Sequence, residues 1–139
     1  GDASKIMIIA FACYFPIVLN TVSGVREVDV NLLKVARLFG ANRRQTLTKI
    51  ILPSAFPAIM TGLRISMAVA LILLIVTEMI GARSGLGFMI IDAQYTFKTD
   101  RMFAGILTIG VIGFLLNELM VWIEKRYTKW KREIRAVSF

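Results

Sequence analysis

The sequence contains no histidine and a single cysteine, Cys13, in 139 residues. The missing histidine excludes most zinc sites and every His-based catalytic triad. One cysteine forms no internal disulfide, and Cys13 is expected to lie against a neighbouring helix with no chemistry of its own. No Walker A run is present. Nor are there paired carboxylates, a Cys/His pair or a cluster of metal-ligating residues. The chain is therefore expected to be no enzyme and to carry no metal or cofactor. Charge is also scarce. Charged residues make up 19% of the chain against 57% hydrophobic, with mean hydropathy +0.71. A soluble domain spreads its charges to keep a wet face on every helix. Here they stand between long runs that carry almost none.

Those runs are long enough to cross a bilayer, which takes roughly 20 mostly apolar residues. The division they imply is a span over 6–25, a loop over 26–53, a span over 54–80, a loop over 81–101, a span over 102–123 and a tail over 124–139. The predicted fold class is an all-α membrane protein of about three spanning helices. The net charge of +8 is concentrated in the first loop and the tail, each with six basic and two acidic residues. The middle loop has three basic and two acidic residues. Positive-inside bias puts the first loop and the C-terminus in the cytoplasm and the middle loop outside. The basic excess is thus read as an orientation signal touching anionic lipid, with no nucleic acid implied.

Local features refine the spans. Pro16 is expected to kink the first. In the second, Ala58, Gly62, Ser66 and Ala70 recur every four residues, a ridge on which another helix can approach closely. Arg64 is placed to snorkel to the interface, and Glu118, near the inner end of the third span, to pair structurally or snorkel. Glu78 is a carboxylate near the outer end of the second span, a candidate for the pathway or a gate; pairing with Arg83 is its structural alternative. Ser84 to Gly87 reads as a tight turn. The apolar piece from Leu86 to Ile91 is expected to tuck back into the membrane edge. Asp92 and Gln94 are candidates for docking a partner outside.

The loop from Arg26 to Pro53 is the most informative stretch. Leu32, Val35, Ala36 and Phe39 fall at helical spacing, and Gly40 follows as a helix stop. Asn42 stands three before Gln45, an N-cap and capping-box pairing. It opens a second short helix that runs to Leu52 and is ended by Pro53. Two short helices at a bend form a knob, suited either to docking in a groove of another protein or to lying on lipid headgroups.

The run Lys34-Val35-Ala36-Arg37-Leu38-Phe39-Gly40, nine residues, then Ile50-Ile51-Leu52-Pro53, resembles the "EAA" loop of binding-protein-dependent ABC importer permeases. Ala36, Gly40, Ile50, Leu52 and Pro53 match that pattern. Lys34 stands where it has Glu, a charge reversal, and Val35 where it has the first Ala. Thr61-Gly62-Leu63-Arg64, Glu78-Met79-Ile80-Gly81 and Ser84-Gly85-Leu86-Gly87-Phe88 are similar to the nitrate, sulfonate and taurine branch. The resemblance implies the C-terminal half of an importer's transmembrane domain in the cell inner membrane, moving a small anion. It implies that Lys34, Ala36, Gly40, Ile50, Leu52 and Pro53 belong to a loop that couples to cytoplasmic ATPase subunits. It also implies a second permease copy and an extracytoplasmic solute-binding protein. The residues by themselves leave two other readings open: an ATP-independent helical channel or carrier, and a membrane-anchored structural or regulatory protein.

Overall fold

The computed structural model describes residues 1–136, with side chains described through Thr128. The tail residues Lys129, Trp130, Lys131, Arg132, Glu133 and Arg135 therefore lie outside the described side chains. The chain forms α1 (Asp2–Arg26), α2 (Val30–Leu38), α3 (Arg43–Thr46), a π-helical turn (Leu47–Ile51), α4 (Leu52–Gly81), α5 (Leu86–Tyr95) and α6 (Thr99–Ala136). Among the described residues, three helical stretches are long and apolar enough to cross a membrane: Asp2–Arg26, Arg43–Gly81 and Thr99–Thr128.

α1 and α4 approach almost backbone to backbone, and small residues make this possible. A Cβ on Gly62 would sit 2.9 Å from the Asn20 Cβ and 3.0 Å from the Pro16 carbonyl oxygen. A Cβ on Gly24 would sit 2.6 Å from that of Ala58. One turn beyond Gly62, the Ser66 hydroxyl donates to the Cys13 carbonyl (2.9 Å) while the Cys13 thiol donates to the Ser66 carbonyl (3.3 Å). Ala58, Gly62 and Ser66 thus form the contact ridge that their spacing suggests, and Cys13 packs into it. α1 runs through Pro16 as one helix, and the Asn20 side-chain amide donates to the Pro16 carbonyl (2.8 Å). In lipid, where apolar burial supplies little drive between helices, contacts of this kind hold them together.

The helix that carries the second apolar run does not begin at Pro53. The expected stop is absent: helix continues from Arg43 through the π turn into α4, with Pro53 in the first turn of α4. A proline lacks the N–H that would bond four residues back, and its ring clashes with the carbonyl there. Widening the preceding turn relieves the clash. The Leu52 N–H bonds to the Leu47 carbonyl, five residues back.

α6 also outruns its expected end, remaining helical past Glu124 to Ala136. From Phe114 onward the sequence has neither glycine nor proline to stop it. This extension brings Glu124 to Arg64, and the two form an ion pair between α6 and α4. Arg64 is therefore held by a partner helix, where snorkelling was expected. Its Nε is buried and meets no acceptor among the described residues. Nearby, the rings of Phe56 and Tyr127 meet edge-on at 6.0 Å. Glu118 is exposed and has no ion-pair partner among the described residues, while Arg126 lies over the Trp122 ring at 5.5 Å.

α5, expected as part of a loop, is a ten-residue helix wedged between α4 and α6. A Cβ on Gly87 would meet the Ile75 carbonyl oxygen at 2.6 Å, and one on Gly105 would meet Ile90 at 2.7 Å. No large side chain among those described is fully buried. Ile6, Phe11 and Leu19 on α1 and Leu107, Phe114 and Leu115 on α6 face outward. The described helices bury only small or slender groups between them, such as Ala55, Met60, Ile90 and Ala93, and leave large apolar faces exposed.

Two outcomes test this packing. Gly62→Ala is expected to lower stability in detergent by about 1–3 kcal/mol through overpacking. Gly110→Ala, where a Cβ meets nothing within 4 Å, should be neutral or gain up to about 1 kcal/mol of helix propensity. Paired denaturation curves check the contrast. A double-mutant cycle of Arg64→Met and Glu124→Gln should return a coupling of about 0.5–3 kcal/mol.

Candidate functional site

The knob between α1 and α4 is assembled almost wholly by local hydrogen bonds. Asp29 opens α2: its carboxylate accepts from the Asn31 N–H at 2.8 Å. At the other end the Ala41 N–H donates to the Ala36 carbonyl and the Gly40 N–H to the Arg37 carbonyl, both at 3.0 Å. This pair of bonds is a Schellman stop, with Gly40 at its left-handed position, φ +72°. A Cβ on Gly40 would meet nothing within 4 Å, so glycine is required there for its backbone angle and not for space. Asn42 and Gln45 then form the reciprocal capping box that opens α3, the Asn42 N–H donating to Gln45 Oε1 at 3.0 Å.

The knob has an inside and an outside. Val28 and Ala36 are buried, while Lys34 is exposed and Leu38 and Phe39 are each 86% exposed. Two large apolar side chains are therefore displayed at the bend. The residues matched to the family pattern divide by position. Ala36 seats α2 and Gly40 makes the bend. Ile50, in the π turn, is half-buried; Leu52 and Pro53 begin α4, the first exposed and the second half-buried. Lys34 lies on the displayed face. Of the most exposed apolar groups of the knob, Leu38 was not singled out by sequence reasoning, and Phe39 was placed with Leu32, Val35 and Ala36 on one apolar stripe, of which only Ala36 is buried. A cue was present, since two apolar residues immediately before a helix-stopping glycine sit at a helix end. Asp29 ahead of Val30 was also a readable N-cap signal.

At the opposite end of α4, Glu78 is committed to the backbone. The Gly87 N–H, in the first turn of α5, donates to Glu78 Oε2 at 2.9 Å, so the carboxylate occupies the positive end of that helix. Gly85 has φ +121°, a backbone region open essentially to glycine alone. A Cβ there would fall 2.5 Å from the carboxylate carbon of Glu78. The expected turn at Ser84 to Gly87 is thus a cradle for this carboxylate. Pairing with Arg83 does not occur among the described residues.

Beside it is an open groove of about 730 Å³, lined by Val76, Met79, Ile80, Phe88, Asp92 and Tyr95. Its one acidic residue, Asp92, makes it a poor resting place for an anion. Gln94 is exposed at the same end. α5 stops in a second Schellman arrangement with Phe97 in the left-handed position, φ 53°.

A knob joined by continuous helix to an apolar span, repeated packing of small residues, and a carboxylate-capped short helix between two spans now stand together. Residues 1–129 match the family described as binding-protein-dependent transport system inner membrane component. The chain belongs to this family. Among the permeases it resembles, a Bacillus subtilis (strain 168) protein named as an aliphatic sulfonates transport permease, SsuC, is 39% identical over 130 residues, 94% of this chain and 47% of the relative. The taurine transport system permease protein TauC of Escherichia coli (strain K12) is 38% identical, covering 97% of this chain and 49% of TauC. A Methanocaldococcus jannaschii protein named as an ABC transporter permease is 35% identical, covering 97% and 51%. The chain spans about half the length of the curated relatives it matches.

The Glu78 cradle is tested by substitution. Glu78→Ala is expected to cost about 0.5–2 kcal/mol, as removal of a helix cap does, and to speed hydrogen exchange at Gly87. Glu78→Gln keeps an acceptor oxygen and should lose less on both measurements.

Proposed function

We propose that this chain is the transmembrane permease part of an ATP-driven importer for a small anionic solute, of the aliphatic sulfonate, taurine or nitrate kind. The knob over 26–53 and the C-terminus lie in the cytoplasm, and the α4–α5 connection lies outside. Two permease copies enclose the pathway. Cytoplasmic ATPase subunits grip the knob from inside, and a solute-binding protein delivers cargo from outside. The names of the relatives support the cargo class, and the family description supports the binding protein.

One observation carries the mechanism: helix runs without a break from Arg43 to Gly81. ATP binding closes the ATPase subunits and moves the docked knob. Because α3, the π turn and α4 form one rod, that displacement reaches the far end of the span as a rigid-body tilt. There Glu78 ties α5 to α4, so α5 moves with it. Glu78 acts in this reading as a gate post, holding a mobile piece, with no direct contact to cargo.

The test uses the full-length transporter with its ATPase and binding protein. A cysteine at Phe39 is expected to crosslink to an ATPase subunit. Gly40→Val, which forces a β-branched residue into the left-handed region, should leave the protein in the membrane while ATP-driven uptake falls at least about tenfold. Crosslinking to lipid alone, or unchanged uptake in Gly40→Val, overturns the proposal.

A further inference from the structure

The face of α2 that a partner would meet is defined by what the helix buries. Ala36 is its one buried residue. At about 100° per residue, the side chains pointing most nearly away from Ala36 are Lys34 and Leu38, one turn apart on a single stripe. Arg37 lies to one side of that stripe and Val35 to the other, while Phe39, at the helix end, points about 60° from the Ala36 direction. All five are exposed, and none of the basic residues of the knob has an ion-pair partner among the described residues. Lys34 therefore sits in the middle of the displayed face, beside Leu38 and between Arg37 and Val35, with Phe39 on another side of the helix end.

A lysine in that position constrains whatever covers it. Apolar contact with Leu38 and Val35 strips water from the neighbouring ammonium group, and a desolvated cation without a counter-charge is strongly unfavourable. Leu38 and Phe39 point about 100° apart. A flat lipid surface accommodates one of these directions, whereas a cleft accommodates both. We propose that the knob seats in an apolar cleft whose wall presents a carboxylate to Lys34, giving the docking surface an acidic complement. The inference rests on the ATPase-docking reading above and adds the sign of the charge on the partner. A buried pair of this kind sets register and partner choice more than raw affinity, so Lys34 selects which ATPase subunit fits this permease.

The assembled transporter carrying Leu38→Cys as a crosslinking probe tests this. Lys34→Glu is expected to reduce both ATPase capture and ATP-driven uptake at least tenfold, and Lys34→Arg to retain more than half of each. Lys49→Glu changes the net charge of the loop equally but lies in the π turn, and it should retain more than half. In a set of ATPase variants with single exposed Asp or Glu residues replaced by Lys, one is expected to restore capture to Lys34→Glu. Undiminished capture in Lys34→Glu, or equal loss in Lys49→Glu, overturns the acidic cleft while leaving docking intact. Absence of ATPase capture by Leu38→Cys with Lys34 in place overturns docking itself. Capture that tracks the anionic lipid content of the vesicles and not the ATPase assigns the face to the membrane and overturns both.

Discussion

The architecture depends on the distance between α1 and α4. In water, two helices are pressed together by the surface they hide. In lipid that drive is small, and the attraction comes from dispersion and hydrogen bonding, which fall off steeply with separation. Gly24, Gly62, Ser66 and Cys13 keep that separation short. Everything else the chain displays is held out from this pair. The knob is strung between the ends of α1 and α4, and α5 and α6 lean on α4 from the other side. A methyl group at Gly62 therefore changes more than one contact, since it alters the base from which the knob projects.

The site is built on a contrast between stiff and displayed parts. The Schellman stop at Gly40 and the Asn42–Gln45 box satisfy the backbone groups that two helix ends would otherwise leave open. The bend consequently needs little support from neighbours and can be offered to a partner. The π turn solves a different problem. It lets a proline stand near a membrane boundary without breaking the rod, at the cost of one wider turn. π turns recur at functional positions for this reason, being places where geometry departs from the regular helix but continuity is kept.

What could be read from the sequence follows the range of the interactions. The Gly40 stop, the Asn42–Gln45 box and the ridge Ala58, Gly62, Ser66 are visible because each is specified by residues within a few turns of one helix. Pro53 was ambiguous for a physical reason: a proline both ends helices and suits their first turn, and only the i→i+5 bond ahead of it decides. Glu78 was recognised as a costly carboxylate, but its partner is a backbone N–H, which carries no signature in side-chain letters. The Arg64–Glu124 pair joins residues 60 positions apart, and Glu124 was assigned to the tail because charge there resembles a boundary. The run beyond it is equally a continuing helix, as the absence of glycine and proline shows in retrospect. The family resemblance did carry over, because its motif falls in the part of the chain where structure is local.

The ion pair between Arg64 and Glu124 bears on how such a chain is made. α4 leaves the ribosome before α6, and a guanidinium costs about 2.5–3.5 kcal/mol at the centre of an isolated spanning helix on insertion scales, and less towards the interface. The apolar length of α4 is ample to outweigh that penalty, yet the nascent helix carries an uncompensated cation until its carboxylate arrives with α6. The settling of α4 is thereby deferred to the arrival of α6, which delivers its counter-ion.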